Sequence, residues 1–99
     1  MLAVLIRMTP ALDTEQVPSA VLVEEVVWAV AEPGDRLEHL TVVDDMPGLF
    51  GLMAFMAAGD RQQAMVQARG LIDRAVLRTG ALRGWRVVEC SALDPGVLT

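Results

Sequence analysis

The residue pattern predicts an α+β domain in the order β-α-β-β-α-β, with a four-stranded antiparallel sheet and two helices on one face. Three observations carry this expectation. Residues 1–8, MLAVLIRM, are nearly continuous apolar sequence, as in a central strand covered on both sides. Apolar residues recur at three- and four-residue spacing from Asp60 to Thr79, the period of a helix. Residues 49–58, LFGLMAFMAA, have no polar side chain, in a chain of only 99 residues.

The first strand spans Met1 to Met8 and stops at Thr9-Pro10. A helix follows from Val17 to Ala31, with Pro18 in its first turn, where a missing N–H costs nothing. Pro33-Gly34 ends it. Projection at 100° per residue puts Leu22, Val23, Val26, Val27 and Val30 on one face and Glu24, Glu25 and Glu32 opposite, with Val21 and Trp28 among the glutamates. Six valines also suit a strand; the spacing of the acids and the length decide for helix.

Leu37 to Asp44 reads as the second strand, and Asp45-Met46-Pro47-Gly48 as turn chemistry. The segment 49–58 then completes a hairpin. Leu, Met and Ala favour helix, and Pro47 and Gly59 could bound one, but the short loop and the β-rich run before it favour a strand. Alternation would put Leu49, Met53 and Phe55 on one face and Phe50, Leu52 and Met56 on the other. Asp60 can cap the second helix with Gln63 three residues on. Arg74 and Arg78 suit its C-terminal end, and Gly80 the C′ position. Trp85 to Cys90 is the last strand. The expected organisation is one domain over residues 1–91 and a tail over 92–99.

This is the ferredoxin-like arrangement, whose usual spatial strand order is 4-1-3-2. It requires strands one and three to be central. They are the most apolar, whereas the second carries Glu38, His39 and Asp44 and the fourth Arg86 and Glu89. Such agreement between pattern and topology supports the fold, but the fold hosts many functions.

Composition excludes more than it selects. The net charge of −5 and scattered bases argue against nucleic acid. The apolar runs are shorter than the ~20 residues of a membrane span, and the first residues lack the pattern of a signal peptide. The expectation is a cytoplasmic protein without membrane contact, whose one cysteine, Cys90, suits a reducing compartment. All eight basic residues are Arg, as in a chain encoded by a GC-rich bacterial genome.

No cofactor or metal is expected, since one His and one Cys give no zinc spacing. His39 and Cys90 are the only pair that could form a nucleophile and its base. The topology sets them on opposite edges, roughly 15 Å apart at ~4.8 Å per strand. Asp44-Asp45 is turn initiation rather than a carboxylate pair. With 54% hydrophobic residues, the chain has more apolar surface than a small domain hides easily. The leading expectation is therefore a non-catalytic module that pairs with itself, or with another protein, through its sheet face. Candidate contacts are Phe50, Leu52, Met53, Phe55 and Met56, with Trp28 and Trp85. The alternative is a small-molecule binder or monooxygenase- or cyclase-like enzyme of the dimeric α/β-barrel kind, with Arg7, His39 or Cys90 reaching into an apolar pocket between sheet and helices. A third is a regulatory component that binds a protein through the Trp28 face.

Overall fold

The computed structural model describes residues 2–10, 18–46, 49–57 and 59–93, with the side chains of 43–46, 49–50 and 81 left out. Its elements are strand β1 (Leu2–Pro10), helix α1 (Ala20–Val30), strands β2 (Leu37–Met46) and β3 (Leu49–Met56), helix α2 (Arg61–Arg78) and strand β4 (Trp85–Leu93). The sheet is antiparallel in the order β2-β3-β1-β4. Read in reverse this is 4-1-3-2, the order that the strand polarity demands. Residues 49–56 are a strand, so the helical alternative for this segment is excluded.

The β1–β3 ladder runs from Leu2–Met56 to Met8–Phe50. The described even-numbered side chains at the centre of both strands point to the helices. Val4, Ile6, Met8, Leu52, Ala54 and Met56 are buried there against Val23 and Val27 of α1 and Ala64, Ala68, Leu71, Ile72 and Ala75 of α2. Leu40 of β2 and Trp85 of β4 extend this core sideways. Burying each large side chain contributes about 1.5–3 kcal/mol, which makes this layer the main source of stability.

Helix α1 begins later than the sequence suggests. Ser19 caps it, accepting from the Leu22 N–H at 3.2 Å. Pro18 thus lies before the cap instead of in the first turn, and both it and Val23 are buried, at the positions of a hydrophobic staple. Asp60 caps α2, accepting from the Gln63 N–H at 2.7 Å, while the Gln63 side chain accepts from the Gly59 N–H. Gly80 is not a left-handed cap: Thr79 ends α2 in an extended conformation, and its hydroxyl donates to the Ala75 carbonyl at 2.6 Å. Instead, Gly84 takes φ 85°, in the turn that leads into β4, a conformation that Gly adopts at no steric cost. β4 continues to Leu93, with Ala92 buried, so the strand runs past the expected start of the tail. Residues 94–99, most of that tail, and the turn residues Pro47 and Gly48 lie outside the described residues.

Arg74 has a role that its position near a helix end did not reveal. It donates from Nη1 to Asp35 Oδ2 at 2.8 Å and to the Val30 carbonyl at 3.0 Å, and from Nη2 to Asp35 Oδ1 at 3.2 Å. Asp35 in turn accepts from the Glu32 N–H at 2.7 Å. One guanidinium thus joins α2, the last carbonyl of α1 and the short turn Pro33–Asp35 that precedes β2.

Two stability measurements follow from this architecture. The hydrogen bonds from Arg74 hold the Asp35 carboxyl below the usual carboxylate range, outweighing the opposing effect of burial. A pKa lower in the folded than in the unfolded chain gives stability that is complete above the unfolded value of about 3.9 and is lost as pH falls through the folded one. Urea titrations should therefore show an acid-side loss of stability that is reduced in Arg74→Ala, and Asp35→Ala should cost about 1–3 kcal/mol at neutral pH. Gly70 lies inside α2, and nothing stands within 4 Å of where a Cβ would be. Replacing it with Ala should stabilise the fold by about 1 kcal/mol, a rise of roughly 4–8 °C in Tm on thermal unfolding.

Candidate functional site

Ala3, Leu5 and Arg7 of β1 and Met53 and Phe55 of β3 stand on the face without helices. The register sets Leu5 between Met53 on β3 and Ser91 on β4, and Ala3 between Phe55 and Leu93. Ala3 is buried between its larger neighbours, whereas Leu5, Met53, Phe55 and Leu93 keep part of their surface in solvent. They form an apolar strip across the middle of the sheet.

Polar groups border this strip. On the β2 side the His39 ring lies 5.6 Å from the Phe55 ring, tilted by 42°, a separation typical of favourable aromatic pairs. His39 Nε2 is 3.3 Å from the Thr41 hydroxyl. On the β4 side Arg7 Nε meets Glu89 Oε2 at 3.5 Å, with both side chains nearly half exposed. Such an exposed pair contributes little stability, but it marks the rim. The β1–β4 register slips between Arg7 and Met8, so Arg7 opposes Glu89, Met8 opposes Val87, and Val88 is the extra residue of a bulge.

The expected interface residues divide between the two faces. Met53 and Phe55 are on the open face. Leu52, Met56 and Trp85 are fully enclosed in the helix-side core and have no surface to offer a partner. Phe50 pairs with Met8 in the ladder, and its side chain lies outside the described residues. Trp28 is on the solvent side of α1, 41% exposed. Leu5 and Leu93 were missed as candidates. Leu5 was hidden in a continuous apolar run, where only the register tells the two faces apart, and Leu93 fell in the expected tail.

The proposed ligand-binding residues do not meet. Arg7 and His39 are on the open face, on β1 and the β2 edge. Cys90 pairs with Ile6 and packs against the core beneath α2. Among the described residues the layer between sheet and helices is occupied by buried apolar side chains. Cys90 and His39 do not meet, and burial pushes the Cys90 thiol above its ordinary range. Among the described residues no group of three or more His, Cys, Asp or Glu side chains could hold a metal ion. No described helix is long and apolar enough to cross a membrane.

The second notable surface is a groove of 550 Å³ between α2 and the β4 edge, lined by Met65, Val66, Arg69 and Gly70 on one side and Val88 and Cys90 on the other. It continues toward Leu77, Trp85 and Arg86. Because the nucleophile is the thiolate, Cys90 should be alkylated by iodoacetamide at neutral pH at least several-fold more slowly in the folded chain than in urea. Mass spectrometry of timed samples measures both rates.

The chain matches no known protein-family model, and no curated protein or solved structure resembles it significantly.

Proposed function

We propose that the chain is a small, non-catalytic association module that pairs with a second copy of itself through the open sheet face. The observation that carries this reading is the strip of Leu5, Met53, Phe55 and Leu93, bordered by His39, Thr41 and the Arg7–Glu89 pair. An apolar centre within a polar rim is the anatomy of a protein interface. A sheet face in a two-layer domain needs no apolar residues unless something covers them. The strip is central, so a two-fold axis near Leu5 would bring each strip onto its counterpart, as an isologous dimer requires. The single partly buried thiol suits a reducing compartment such as the cytoplasm.

A second reading is favoured by the position of Arg7 and His39 on that same face. In a dimer of the α/β-barrel kind, a small apolar ligand would lie between two sheets, with these residues as its polar contacts. It would not lie between sheet and helices, where the space is filled.

Light scattering during size-exclusion chromatography tests the first reading. The wild type should elute at twice 10.7 kDa. At micromolar concentration and high salt, Phe55→Asp should elute as a monomer with unchanged far-UV circular dichroism, since it places a charge on the strip and leaves the core intact. Met56→Asp should unfold the chain, because it buries that charge. A wild-type monomer at micromolar concentration, or a dimer unaffected by Phe55→Asp, refutes the reading.

A further inference from the structure

We propose that the groove between α2 and β4 receives the solvent side of α1 from another copy of the chain, a head-to-tail contact separate from the open sheet face.

The groove has the features of a site with its occupant missing. Its borders carry large apolar side chains in solvent: Val66 is 66% exposed, Leu77 85% and Val88 52%. At its centre is Gly70, in the middle of an 18-residue helix. Gly there costs about 1 kcal/mol against Ala. Among the described residues nothing stands within 4 Å of a Cβ built there. Packing among the described residues does not explain this cost, whereas a helix backbone approaching closely from outside does.

The solvent side of α1 matches the groove in length, polarity and charge. It presents Val21, 66% exposed, and Trp28, 41% exposed, at i and i+7, the spacing of anchors on a helix laid in a groove. The 11 residues of α1 rise about 16 Å, as do the residues from Val66 to Leu77. Glu24 and Glu25 lie between the two anchors, and Glu32 follows them. Arg86 lines the groove, and Arg78, next to Leu77 in sequence, and Arg83, three residues before Arg86, are exposed. Among the described residues, none of these three glutamates and three arginines is in an ion pair. Arg69 is bonded to Asp73 at 3.2 Å and Arg7 to Glu89, so the groove's acids are already matched. The net charge left at the groove is positive and that on α1 negative.

The two surfaces belong to opposite sides of the fold. α1 packs on β2 and α2 packs on β4, and these are the two edge strands. A copy cannot place its own α1 in its own groove. The contact is heterologous, so it builds rings or chains of copies in place of a closed pair.

A mixing experiment tests this, in a Phe55→Asp background that removes any association through the sheet face. There, at low salt and high concentration, the chain should form species larger than a monomer. Trp28→Asp, which spoils the α1 surface, and Gly70→Met, which fills the groove, should each be monomeric alone. Mixed in equal amounts they should form a two-chain species and nothing larger, because one intact surface remains on each. Gly70→Met should also raise Tm, so its loss of association cannot be a loss of fold. Any association of unaltered chains beyond the dimer should weaken at least about tenfold between about 0.05 and 0.5 M salt, since screening acts on the charged rim. A mixture that stays monomeric, assembly that survives Trp28→Asp, or assembly insensitive to salt overturns the proposal. Survival under Trp28→Asp but loss under Gly70→Met would mean that a different segment fills the groove. The salt arm needs no variant, and failure of the sheet-face dimer would leave the mixing result intact.

Discussion

The register of β1 against β3 is the constraint from which the rest of the structure follows. With Leu5 opposite Met53, Val4, Ile6, Leu52 and Met56 face the helices while Ala3, Leu5, Met53 and Phe55 face away. A slip of one residue would exchange Val4 and Ile6 for Ala3 and Leu5 if β1 moved, or Leu52 and Met56 for Met53 and Phe55 if β3 moved. Both sets are apolar, so hydrophobicity alone separates them weakly. The difference is in shape and rim. The inward set interlocks with small residues of α2, Ala64, Ala68 and Ala75, which let the helix approach the sheet. The outward set is interrupted by Arg7 and Gly51 and has His39 and Glu89 beside it. A guanidinium in the helix-side layer would cost several kcal/mol unpaired, and that penalty selects the register.

Packing on this sheet leaves the connections to be held by polar chemistry. The Asp35–Arg74 pair performs this for the α1–β2 junction. It satisfies the Val30 carbonyl at the end of α1, one of those a helix leaves without partners, and it fixes the turn that leads into β2. Arg36, next to it, takes φ 59°, a conformation that strains a side chain with a Cβ. Its carbonyl accepts from the Ala57 N–H at 2.8 Å, so the strained residue also joins β2 to the end of β3. The pair is specific in geometry because both oxygens and two guanidinium nitrogens are used.

The described residues place three apolar groups in solvent: the strip on the sheet face, the groove edges beside α2, and Val21 with Trp28 on α1. A domain of this size buries only about 60–70% of its unfolded surface, and with 54% hydrophobic residues some exposure is unavoidable. Scattered exposure would need no explanation. Here the exposed residues are grouped, and each group has a charged or polar border. That grouping turns a general excess of apolar residues into specific association surfaces.

The element order, the central position of strands one and three, and the apolar faces of both helices were legible in the sequence, because they rest on local periodicity. Trp28 and Val21 could be placed outside the α1 core for the same reason. The capping residue of α1, the end of β4 and the role of Arg74 were not legible, since each depends on a partner distant along the chain. Cys90 and His39 could be separated in advance by topology, but not by face. For residues 49–56 the sequence by itself determined a two-faced apolar segment, and it could not say which face was the core. Only tertiary structure decided that. Strand alternation specifies which side chains share a face, while helices packing on one side of the sheet determine which of the two faces loses its water.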